Sequence, residues 1–181
     1  MPLPLEHLEF GLWPLDSEGI HIYAVIDCAR DDELYPLVCR FGPLDTTCLF
    51  SGDQPRELEA VSPYLVRLTK GDPATRALLV DFWGESAFIV VHGVDPIDVT
   101  RRHLKTFLQA KMPDGEITLF RFYDPRVMRV FLPTCKAPQL GQIFGRLLKI
   151  VTEDETGNHV VHWSVNASYR LKEIAYPPYP S

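Results

Sequence analysis

The stretch LFRFYDPRVMRVFLP, residues Leu119 to Pro133, sets four charges, Arg121, Asp124, Arg126 and Arg129, among large apolar side chains. Strand alternation over its first half places Phe120 and Phe122 on one face and Leu119, Arg121 and Tyr123 on the other. Asp124 then offers an N-cap acceptor, and the φ of Pro125 already suits a first helical turn. In the helix that follows, Arg126 and Arg129 form the only polar stripe beside Val127, Met128, Val130 and Phe131, which predicts burial on most sides. Arg126 lies in the first turn, where the helix dipole opposes a cation, so it calls for an anionic partner. That partner can be Asp124, another carboxylate or a bound ligand.

Two readings of this corner follow. Arg121 falls at the carboxyl end of its predicted strand, where α/β sheets place ligands, so Arg121 and Arg126 can clamp an anion. Alternatively Asp124 caps the helix and pairs with Arg121, closing an internal polar network. No glycine-rich phosphate loop accompanies the arginines, and the internal network is the favoured reading.

Working outward, Asp72-Pro73 and Asp95-Pro96 repeat the Asp-Pro signal and predict two more capped helices. The second lies between AFIVVHG and EITLFRFY, a strand–helix–strand succession for which a right-handed parallel crossover is expected, with MPDGE as its turn. Upstream, IHIYAVID (Ile20 to Asp27) reads as a buried strand. DDELYPLVCRFG reads as a short helix limited by Pro36, and TTCLFSG and YLVRLT as further strands. Beyond Gly145, RLLKIVTE and HVVHWSVN flank the polar DETGN and predict an antiparallel hairpin. The expected fold is α/β: a mixed sheet flanked by helices, with an antiparallel hairpin near the C-terminus. Its parts are a Pro-punctuated arm (1–19), the α/β domain (20–146), the hairpin packed on it (147–175) and a Pro-rich tail (176–181). AYPPYPS is expected to sustain neither helix nor ladder.

Composition bounds the function. A chain of 181 residues with 46% hydrophobic and 23% charged residues suits one folded domain rather than disorder. A net charge of −6 argues against general affinity for nucleic-acid backbone or anionic membranes. The N-terminus lacks a basic leader, and the longest apolar runs are too short to span a bilayer. Cys28, Cys39, Cys48 and Cys135 show no C-x-x-C spacing and read as buried thiols of a reducing compartment. A cytoplasmic protein is expected.

Two histidine features bear on chemistry. His159 and His162 stand at H-x-x-H spacing, but on a strand they point to opposite faces with no further ligand nearby. They read as exposed or edge-strand histidines, and no metal or cofactor is expected. His103 lies at the edge of the arc formed by Ile97, Thr100, Leu104, Phe107 and Leu108, where a half-buried, hydrogen-bonded ring could serve as acid or base. No nucleophile or carboxylate at informative spacing completes a catalytic group.

The succession YAVIDCARDDELYPLV, SPYLVRL, RRHLKTFLQAKMPDGEITLFRFYDPRVMRVFLP and GQIFG resembles the domain-of-unknown-function family 4123, the adaptor chaperones of bacterial type VI secretion. His103, Leu104, Arg121, Phe122, Tyr123, Asp124, Pro125 and Arg126 match its most specific motifs position by position. Pro63-Tyr64-Leu65 and Phe144-Gly145 match lesser ones, and the hairpin beyond lies where members vary. The resemblance implies a non-enzymatic cytoplasmic protein that binds a toxic effector and helps load it onto the VgrG spike. The competing expectation is an enzyme or anion-binding protein with an Arg121/Arg126 clamp for phosphate or carboxylate and His103 as acid or base.

Overall fold

The computed structural model describes residues 3–13, 18–50, 55–111 and 114–176. Strands β1 (His21–Asp27), β2 (Thr46–Cys48), β3 (Pro63–Arg67), β4 (Phe88–Gly93), β7 (Leu147–Glu153), β8 (Val160–Val165) and β9 (Leu171–Tyr176) form one sheet. Its order is β2-β3-β1-β4-β7-β8-β9. Strands β5 (Gln109–Lys111) and β6 (Ile117–Leu119) form a separate two-stranded ribbon. The helices are α1 (Leu5–Leu12), α2 (Leu34–Val38), α3 (Arg56–Glu59), α4 (Pro73–Phe82), α5 (Ile97–Lys105), α6 (Pro125–Phe131) and α7 (Ala137–Phe144).

The α/β class and the antiparallel C-terminal strands are as expected. The strand character of β1 explains the rest: Ile22, Ala24 and Ile26 feed one core, while Tyr23 and Val25 feed the other. Alternate residues are therefore apolar on both faces, because both faces are covered. The first face carries α1, α2 and α4 through Leu8, Leu12, Leu34, Leu78 and Trp83. The second carries α5, α6 and α7 through Leu104, Met128, Leu140 and Phe144.

Several expectations are corrected. No parallel crossover forms, since every strand pairing among the described residues is antiparallel. The chain leaving α5 folds back as the β5–β6 ribbon, with Gln109 opposite Leu119 and Lys111 opposite Ile117. Two short strands can satisfy each other locally without returning to the main sheet. Of the MPDGE turn expected there, residues 112 and 113 lie outside the described ones. The proposed tail is also shorter: Ala175 and Tyr176 belong to β9, paired with Val161 and Val160, and 177–181 fall outside the described residues.

The N-terminal arm contains a helix whose Leu8 and Leu12 are fully buried. Gly11 explains how α1 approaches so closely, since a Cβ there would meet three side-chain atoms of Val160 at 3.0–3.1 Å. Gly11→Ala gains about 1 kcal/mol of helix propensity. It also overpacks a β-branched side chain on a rigid strand, which costs about 2 kcal/mol. The expected net loss of about 1 kcal/mol is measurable by urea unfolding.

That same helix buries His162. Its Nε2–H donates to the Gly11 carbonyl at 2.8 Å, and its ring packs on Tyr176 with centroids 4.4 Å apart. The expectation of an exposed or edge-strand histidine fails for His162, because β9 covers the edge and α1 the face. His159 sits in the turn before β8, where its Nδ1 pairs with Asp154 at 2.8 Å. Among the described residues no group of three or more potential metal ligands is present. Of the cysteines, Cys28 is buried, Cys39 is exposed and Cys48 and Cys135 are intermediate, so uniform thiol burial does not hold. Among the described residues no helix is long and apolar enough to cross a membrane.

Candidate functional site

Locally, the strand-to-helix corner does much of what its sequence predicts. The Asp124 carboxylate accepts the Arg126 backbone N–H at 2.9 Å, and Pro125 occupies the first turn of α6. Asp72 likewise accepts from the Thr75 N–H at 2.8 Å. Asp95 departs from the pattern: Pro96 takes the cap position of α5, and the Asp95 carboxylate is drawn to Arg146.

The arginines find partners other than a common ligand. Arg126 grips Asp124 with Nε at 3.0 Å and Nη2 at 2.6 Å. Arg121 pairs with Asp27 at the end of β1, not with Asp124 as expected. Asp27 is 94 positions away in the chain, so no local pattern announces it. Asp124 is held below the ordinary carboxylate range: burial opposes ionisation, but the Arg126 side-chain and backbone bonds outweigh it. Tyr123, buried beside this network, has its phenol pushed up to about 12 by desolvation and then by the Asp27 charge. Arg129 donates to the Glu153 carbonyl at 2.9 Å. The helix is less enclosed than predicted, since Val130 is largely exposed.

Strand alternation also fails for Phe122 and Tyr123, which are both buried. β6 ends at Leu119, and the chain then turns, with the Phe122 N–H donating to the Phe120 carbonyl. The released residues build an aromatic wall. His103 meets Phe107 edge-on with centroids 5.0 Å apart, Phe107 meets Phe122 at 6.2 Å, and Phe122 meets Tyr123 at 5.6 Å. The two halves of the sequence motif, around His103 and around Phe122, are thereby joined through Phe107. Nearby Phe120 packs on Phe131 at 4.7 Å.

His103 is half-buried, as predicted, and its role is visible. Nε2 lies 2.9 Å from the Ile143 carbonyl, which can only accept, so this nitrogen carries the proton. The bond ties α5 to the end of α7. Gly145 has φ +33, and a Cβ on it would lie 2.9 Å from the His103 ring. The Phe144-Gly145 motif thus completes the seat of His103.

What these elements enclose is an apolar groove of about 670 Å³ over the second face of the sheet. Ile89 and Val91 of β4 and Leu147 and Ile150 of β7 form its floor. Leu104 and Phe107 at one side, Phe120 and Phe122 beyond β6, Met128 and Phe131 of α6, and Ile143 of α7 form the walls. Thr106, Gln109, Gln139 and Gln142 supply its polar lining, and none of the described lining residues is charged. Of the motif residues, Leu104 and Phe122 line the groove. Tyr123 and Pro125 are buried, and Asp124 and Arg126 border a separate shallow depression that shares Phe131 with the groove. His103, Arg121 and Arg126 are therefore engaged with three different acceptors, Ile143, Asp27 and Asp124.

Sequence reasoning misses the groove, Arg146 and Asp95. The Asp95-Pro96 pair looks like a helix cap, and its tertiary partner lies 51 positions away. Only the GQIFG motif hints that the segment before Arg146 matters.

A family model described as Domain of unknown function (DUF4123) matches residues 22–142, most of the chain and nearly all of the groove's walls. No curated protein matches, and no solved structure matches.

Proposed function

The chain belongs to the DUF4123 family, and from that premise we propose that it is a non-enzymatic adaptor for type VI secretion. In this reading it binds a toxic effector in the bacterial cytoplasm and helps load it onto the VgrG spike. The observation that carries the proposal is the half-open groove of about 670 Å³, apolar on floor and walls, with three glutamine amides in its lining. Such a surface accepts the apolar face of a partner helix, with side chains at i, i+3, i+4 and i+7 as anchors. The resemblance of the motif residues to the adaptor chaperones supplies the identity of the partner. The anion-clamp reading draws less support, because Arg121 and Arg126 hold separate carboxylates and His103 holds a carbonyl.

The test is co-expression with the products of neighbouring spike and toxin genes, followed by capture on tagged full-length chain. The effector is expected to co-purify and to be soluble only in this chain's company. An effector that is soluble, stable and secreted in a strain lacking this chain overturns the proposal.

A further inference from the structure

The charges of the chain are not evenly spread. Between Ile97 and Arg146 the sequence has nine Lys/Arg and four Asp/Glu, against 18 and 24 in the whole chain. This one segment is net +5, so the remainder is net −11. The basic segment is also the one that folds into the walls of the groove, from α5 through α7.

Tertiary structure turns that positive charge outward. Three ion pairs share one orientation: Arg121, Arg126 and Arg146 are 44%, 51% and 61% exposed, while their Asp27, Asp124 and Asp95 partners are 1%, 6% and 12% exposed. Each pair is a dipole with the carboxylate inward and the arginine on the half-exposed side. Asp27 ends β1 beside the start of β4, whereas Asp95 follows the end of β4. The guanidiniums therefore stand at opposite ends of the sheet, with the groove floor from Ile89 to Leu147 between them. Leu147 pairs with Gly93, four residues along β4 from Ile89, so the floor spans about 14 Å. About nine residues of α-helix cover that length.

Resting on the adaptor reading, we propose that the groove's occupant is an acidic amphipathic helix. Its apolar stripe fills the groove, and Asp or Glu residues at its two ends meet Arg121 with Arg126 and, at the far end, Arg146. An apolar small molecule would use the floor and ignore the arginines. A basic helix would meet guanidiniums at both ends. The net charge of −6 repels an acidic peptide at long range, so a preference for one reports the local field around the groove.

The experiment uses full-length chain and three fluorescein-labelled peptides of about 18 residues with one shared leucine stripe, a length chosen to exceed the floor. Their flanks carry Glu, Gln or Lys. The Glu peptide is expected to bind at least about tenfold tighter than the Lys peptide at low salt, and the gap to narrow in about 0.5 M NaCl. Gln142→Trp puts an indole into the groove from an exposed position and should weaken the Glu peptide about tenfold, with the melting temperature unchanged. Equal affinities, a preference for Lys, binding indifferent to Gln142→Trp, or no binding by any peptide overturns the proposal. Should no peptide bind while the chain still captures its effector, the acidic-helix inference falls and the adaptor reading stands. Should the Glu peptide bind as described while no effector is captured, the reverse holds.

Discussion

Acidification from about pH 7 to pH 5 is expected to remove about 4 kcal/mol of folding stability, through two histidines beneath α1. His92 and His162 are 1% and 4% exposed, and their rings lie 6.2 Å apart. Burial, with each other's company for His92 and with Lys149 close to both, lowers His92 to about 3 and His162 to about 4. Both are neutral in the fold and take up protons near pH 6.5 once unfolded. The sign follows: their contribution is fully present above about pH 6.5 and is lost as the pH falls toward the folded values. Each group loses about 2 kcal/mol by pH 5, and near-complete burial leaves no solvent screening to discount.

Other groups do not cancel this loss. Asp95 and Asp124 are held low by arginine bonds, and Asp154 is brought down to about 2 by bonds from His159, Thr156 and Asn158, so these act only at more acidic pH. Glu153 works in the opposite sense. Burial raises its carboxyl, so protonation favours the fold and trims the loss. Melting temperature is expected to fall by about 10 °C between pH 7 and pH 5. His92→Leu removes a buried Nε2 that has no hydrogen-bond partner, and should recover about half of that fall. A melting temperature flat across this range, or a variant with the wild-type pH slope, refutes the histidine account.

The second large effect is at the motif itself. Asp124→Ala removes a helix cap and the partner of Arg126 together. The cap is worth about 1–2 kcal/mol. The ion pair adds only a fraction of 1 kcal/mol, because Arg126 is half exposed. The expected loss is about 2 kcal/mol, or about 6 °C in melting temperature. Asp124→Asn keeps an acceptor for the Arg126 N–H and should lose less than half as much. Partner binding is expected to weaken only in proportion to unfolding. A variant of full thermal stability that has lost a bound anion would restore the clamp reading.

The residues that were legible in the sequence are those whose partners are close in the chain. Asp124 and Asp72 cap their own helices two and three residues on, so an Asp-Pro pair is sufficient notice. β1 shows its two buried faces by an apolar run unbroken from Ile22 to Ile26. The half-buried place of His103 at the edge of its arc is legible because helical geometry repeats every few residues. The same local logic misread Asp95, whose capping pattern gave way to a stronger charge-assisted bond with Arg146.

By itself, then, the chain determined its α/β class, most of its strands, two of its caps and the aromatic and charged residues of its motif. Only the tertiary structure decided which carboxylate each arginine holds, that the β5–β6 ribbon leaves the main sheet, and that α1 buries His162. It alone gathered Ile89, Phe107, Met128 and Ile143 into one groove. The physical reason is range. Caps, turns and face periodicity are settled by dihedrals and neighbours within a few residues. Burial and ion pairing are settled by whichever distant group the fold brings within hydrogen-bond reach.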